Sequence, residues 1–72
     1  MKKVYTENKY ILLLHNDNDK VVVFYRQIKS GSTLLVGNHT LFEYDTLDEL
    51  KNKVSELKGP DYYDKNPIPT FK

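Results

Sequence analysis

The chain has 72 residues, no cysteine, and 11 Lys+Arg against 10 Asp+Glu for a formal net charge of +1. Without cysteine there are no disulfides and no thiolate metal sites, and a near-neutral balance gives no long-range pull toward nucleic acid or anionic lipid. The length allows one domain, and a single core of this size supplies only about 3–5 kcal/mol, so a partner subunit is a common support.

Lysine outnumbers arginine ten to one, Asn and Tyr each occur six times and Ala never, a skew that matches AT-rich coding in a low-GC bacterium or one of its phages. Met1-Lys2-Lys3 opens like a signal peptide, but Glu7, Asn8 and Lys9 interrupt it and the apolar run Ile11 to Leu14 is only four residues long. That run is too short for a secretory core or a membrane span. The chain is therefore expected to be cytoplasmic and to have no membrane contact.

Val4 to His15 reads as extended, and Val21-Val22-Val23-Phe24-Tyr25 follows with the β-branched and aromatic residues that suit a pleated surface. Asn16-Asp17-Asn18-Asp19 between them is turn chemistry, because Asn and Asp tolerate left-handed backbone. The two runs predict an antiparallel hairpin. A turn on Asp17-Asn18 pairs Leu14 with Val21, Leu12 with Val23 and Tyr10 with Tyr25, and leaves Leu13, Val22, Ile11 and Phe24 on the opposite face. Lys29 to Ser32 is a second turn. Thr33 to Val36 and His39 to Tyr44 then read as a hairpin about Gly37-Asn38, with Leu34 facing Leu41 and Thr33 facing Phe42.

Thr46-x-x-Glu49 is a capping box, and Leu47, Leu50, Val54 and Leu57 form one apolar stripe at helical spacing. Glu49 and Lys53 are placed as an i,i+4 pair. Gly59 and Pro60 end the helix, which is predicted from Leu47 to Lys58. From Pro60 on there is no period, and Pro60, Pro67 and Pro69 favour an extended arm.

The expected fold is α+β: an antiparallel β-meander of about four or five strands, the higher number if Glu7-Asn8 breaks the first, with one helix on one face. The domain spans residues 1–59 and the arm 60–72, and a small SH3-like barrel with an appended helix is the alternative. The first two strands are apolar on both faces, so both need a cover. One helix covers one face. The other falls to the arm, to barrel closure or to a second copy of the chain, and a homodimer is the leading expectation.

Few residues point to chemistry. His15 to Asp19 gathers oxygen and imidazole groups, but Val21 and Ile28 stand where a calcium loop needs ligands and no Gly follows. Lys29-Ser30-Gly31-Ser32-Thr33 has phosphate-loop composition, yet the Lys precedes the Gly and a strand follows. His15 and His39 are the possible bases for a nucleophile, with no Gly-x-Ser-x-Gly elbow and no serine close by in sequence. Asp48, Glu49 and Glu56 fall on the polar side of the helix, where solvation explains them. No catalytic residue, metal site or cofactor is expected.

The functional reading is a small non-catalytic module that acts by stoichiometric binding to a protein partner whose identity the sequence does not name. Tyr62, Tyr63, Ile68 and Phe71 on the arm are its candidate anchors. The alternative is a nucleic-acid-binding module in which Lys9, Tyr10, Lys20, Tyr25, Arg26 and Lys29 combine basic and stacking groups on adjacent strands.

Overall fold

The computed structural model describes residues 2–68. It is an α+β fold of five antiparallel strands, a long helix and a one-turn helix: β1 (Lys2–Val4), β2 (Lys9–Asp17), β3 (Lys20–Ile28), β4 (Thr33–Leu35), β5 (Thr40–Tyr44), α1 (Leu47–Lys58) and α2 (Tyr62–Lys65). The α+β class, the break between β1 and β2, and the placement of α1 on one sheet face all agree with the sequence expectation.

The strand order does not follow a meander. The five strands form two sheets, a three-stranded one ordered β3-β2-β5 and a two-stranded ribbon of β1 and β4. Gly37 does turn the chain, with φ of 64° and the His39 N–H donating to the Val36 carbonyl at 3.3 Å. The strands on either side of that turn nevertheless part, so the expected Leu34–Leu41 and Thr33–Phe42 pairs do not form. β4 joins β1 instead, and β5 joins the second edge of β2. A nine-residue strand that is apolar on both faces is best satisfied at the centre of a sheet, with backbone partners on both edges.

The β2–β3 hairpin also differs in register from the expectation. Asn18 and Asp19 carry φ of 50° and 66°, so they are the two central residues of the turn. Asp17 and Lys20 close the ladder, and Leu14 pairs with Val23, Leu12 with Tyr25 and Tyr10 with Gln27. Moving the turn by one residue shifts the pairing by two, which leaves every side chain on its expected face.

Those faces carry separate halves of the core. Leu12 and Tyr25 lie with Leu50 and Val54 of α1, flanked by Tyr10, Val23, Phe42, Leu47 and Leu57. Fully burying a leucine-sized side chain stabilises by about 1.5–3 kcal/mol, and Leu12, Leu50 and Val54 are each 0 % exposed. On the other face Ile11, Leu13 and Ile28 meet Tyr5, Leu34 and Val36 of the folded-over ribbon. No ladder among the described residues joins the ribbon to the larger sheet.

The capping box forms as predicted: Thr46 Oγ1 accepts from the Glu49 N–H, and Glu49 Oε2 accepts from the Thr46 N–H, both at 3.3 Å. With the Glu49 carboxylate committed there, Lys53 pairs instead with Glu56 at 3.6 Å and lies over the Phe42 ring. The expected Glu49–Lys53 pair is thus replaced. Gly59, at φ of 99°, ends the helix with its N–H on the Ser55 carbonyl.

The expected extended arm is in part helical, because α2 takes residues 62–65 and its end is held by the Asn66 N–H on the Tyr62 and Tyr63 carbonyls. Tyr62, Tyr63 and Ile68 pack on the helix-side core. Tyr63 stacks on Tyr25 with ring centroids 5.7 Å apart, and the Tyr25 hydroxyl donates to the Asn66 carbonyl.

Candidate functional site

The face of the larger sheet opposite α1 is covered over only part of its length. Across β3 and β2 its rows are Lys20–Asp17, Val22–His15, Phe24–Leu13, Arg26–Ile11 and Ile28–Lys9, with Leu41 and Glu43 of β5 beyond Leu13 and Ile11. The ribbon seals the Ile11 and Ile28 end. At the other end Val22 is 43 % and Phe24 53 % exposed. They stand two residues apart on one strand and so project from the same side.

At the covered end the rim is charged. Lys3 pairs with Glu43 at 2.8 Å, and Lys9 lies between Asp45 and Glu7. Lys3, and then the nearby Tyr5 hydroxyl, hold the Glu43 carboxyl below the usual carboxylate range. Burial, reinforced by the Glu43 charge, pushes the Tyr5 phenol well up. Its hydroxyl is buried and falls short of hydrogen-bond geometry to any partner. Asp45 raises the pKa of Lys9 by stabilising its ammonium. These groups hold the ribbon to the sheet edge.

At the open end two imidazoles meet. One step beyond the last β2–β5 pair, Leu14 with Thr40, antiparallel continuation sets His39 opposite His15. Their ring centroids are 4.9 Å apart at an interplanar angle of 38°. His39 Nδ1 lies 3.1 Å from the Val36 carbonyl. The adjoining edge of β3 is partly guarded, since Lys58 Nζ donates to the Val21 carbonyl at 2.9 Å.

The residues named for a nucleic-acid face are divided by the fold. Lys9, Lys20 and Arg26 belong to the face opposite α1, whereas Tyr10 and Tyr25 lie under the helix in its core, and Lys29 sits in the turn after β3. Phe24, two residues from Arg26, is the exposed aromatic on the basic side. Of the arm anchors, Tyr62, Tyr63 and Ile68 are half-buried on the chain's own core, and Phe71 lies outside the described residues.

The segment with phosphate-loop composition is used internally. The Gly31 N–H donates to the Tyr5 carbonyl at 2.7 Å, the Ser30 N–H to Asn8 Oδ1 at 2.8 Å, and the Ser32 N–H to the Lys29 carbonyl at 3.1 Å. Donors so committed do not form a phosphate cradle. Among the described residues no group of three or more His, Cys, Asp and Glu is disposed to hold a metal ion, and no helix is long and apolar enough to cross a membrane.

Sequence reasoning allotted Val22 and Phe24 to the second face but did not separate the covered part of that face from the open part. It also kept His15 and His39 apart, because the expected hairpin returned β5 beside β4. The signal for both was the length of β2, which needs a partner on each edge. No family model, curated protein or solved structure matches the chain.

Proposed function

We propose that the protein is a small non-catalytic interaction module that acts by stoichiometric binding, and that its first partner is a second copy of itself docked through the open end of the sheet. The observation that carries this reading is the pair Val22 and Phe24, 43 % and 53 % exposed side by side on a sheet face whose other end is sealed. Single exposed apolar residues are normal on a protein surface, but adjacent ones continuing an apolar sheet face mark an association site. Val4 and Leu35, 63 % and 75 % exposed, sit on the outer side of a ribbon of three-residue strands and make a smaller platform.

Light scattering coupled to gel filtration, at tens of micromolar protein, tests the reading. The expected mass is about twice the 8.5 kDa of one chain. Phe24→Glu places a charge in the contact and is expected to return the mass to a single chain while the far-UV circular dichroism stays unchanged. A wild-type chain that is monomeric throughout that range overturns the self-association.

A further inference from the structure

We propose that His15 and His39 form a two-imidazole seat for a borderline divalent transition-metal ion of the Zn2+ class, with water completing its coordination. The proposal does not depend on self-association, because both ligands belong to one chain.

Three observations converge on it. Antiparallel pairing of β2 with β5 sets the two residues opposite one another, and directly opposed side chains on one sheet face have Cβ atoms about 4.5–5.5 Å apart. The ring centroids, 4.9 Å apart, are within the span that one ion bridges through two nitrogens, each about 2.0–2.1 Å from the metal.

The second observation fixes the tautomer. The Val36 carbonyl can only accept, so its 3.1 Å contact with His39 Nδ1 is a hydrogen bond only when that nitrogen carries the proton. In neutral His39 the lone pair is then on Nε2. An imidazole whose second nitrogen donates to a backbone carbonyl is the arrangement that orients metal-ligating histidines.

The third is access. In the single chain His39 is exposed and His15 half-buried, so an ion reaches the pair from solvent and keeps its waters. Imidazole suits Zn2+, Cu2+ and Ni2+, whereas Mg2+ and Ca2+ need oxygen donors.

The test titrates ZnCl2 into the tag-free, 15N-labelled chain in a non-chelating buffer and follows the ring nitrogens of both histidines by long-range 1H–15N correlation. Before addition, His39 is expected to show the Nδ1–H tautomer. With Zn2+, the His39 Nε2 signal and one ring nitrogen of His15 move together and saturate at one ion per chain, and MgCl2 moves neither. His39→Ala and His15→Ala, each checked for retained circular dichroism, lower the Zn2+ affinity by about tenfold or more. Movement of one ring alone, absence of saturation, or wild-type affinity in either variant overturns the proposal. Loss of the dimer with Zn2+ binding intact, or the reverse, separates this site from the docking reading.

Discussion

At the scale of single residues, the charged rim that holds the ribbon to the sheet shows how a surface carboxylate enters folding. Glu43 faces Lys3 at 2.8 Å and lies beside the buried Tyr5 hydroxyl, and its pKa is lowered by Lys3 first and Tyr5 second. A carboxyl whose folded pKa lies below its unfolded value of about 4.3 adds stability above that value, and the contribution is lost as pH falls through the folded pKa. The side chain is 31 % exposed, so the pair contributes less than about 1 kcal/mol. Glu43→Gln keeps the shape while removing the charge. Urea unfolding across acid to neutral pH is expected to show the variant less stable near neutrality and converging on wild type in acid. A constant difference at every pH would refute the electrostatic account.

At the scale of elements, the helix was readable from sequence because its determinants are local. Thr46, Glu49, the stripe from Leu47 to Leu57 and Gly59 lie within one short segment and each agrees with the others. The strands were readable as extended segments, and β2 with β3 as an antiparallel hairpin, but the register of that hairpin and the partners of β1, β4 and β5 were not. An apolar pattern of period 2 is unchanged when pairing slips by two residues, so the two-faced allocation of Leu12, Leu13, Val22 and Phe24 fits either hairpin register. The choice falls to the turn, where Asn18 and Asp19 both take left-handed backbone. The partner of β5 was less accessible still, because a tight turn at Gly37 fits a hairpin and a change of sheet equally well. The meeting of His15 and His39 was hidden with it.

That turn makes a prediction of its own. Asp19 has φ of 66°, a conformation that costs an ordinary L-residue about 1–2 kcal/mol, an Asp less because its short side chain hydrogen-bonds locally, and a glycine nothing, while glycine gives back about 0.5–1 kcal/mol in unfolded-state freedom. Asp19→Gly also creates the Asn-Gly dipeptide favoured in this turn type. The variant is expected to be more stable by about 0.5 kcal/mol or less in equilibrium urea unfolding, with an unchanged slope. A destabilised variant would mean that the Asp19 side chain contributes contacts beyond the backbone conformation.

At the scale of the whole molecule, the larger sheet is the wall between two half-cores, and successive residues of β2 serve opposite sides of it. Leu12 packs toward Leu50 and Val54, Ile11 and Leu13 toward Tyr5, Leu34 and Val36. The arm belongs to this construction, since Tyr62, Tyr63 and Ile68 complete the helix side and Tyr63 stacks on Tyr25. Neither half can loosen without removing the strand that the other is built on, so unfolding should be a single transition. A Leu→Ala or Ile→Ala core change costs about 2–5 kcal/mol, comparable with the about 3–5 kcal/mol that a core of this size supplies, and would leave no fold to measure. Ile11→Val, at about 0.5–1.5 kcal/mol, is the usable probe. It alters only the ribbon side, yet the amide NMR signals of Leu50 and Val54 and the far-ultraviolet helix signal are expected to shift to the same lower midpoint. If those helix-side signals keep the wild-type midpoint, the two half-cores are independent and the sheet does not couple them.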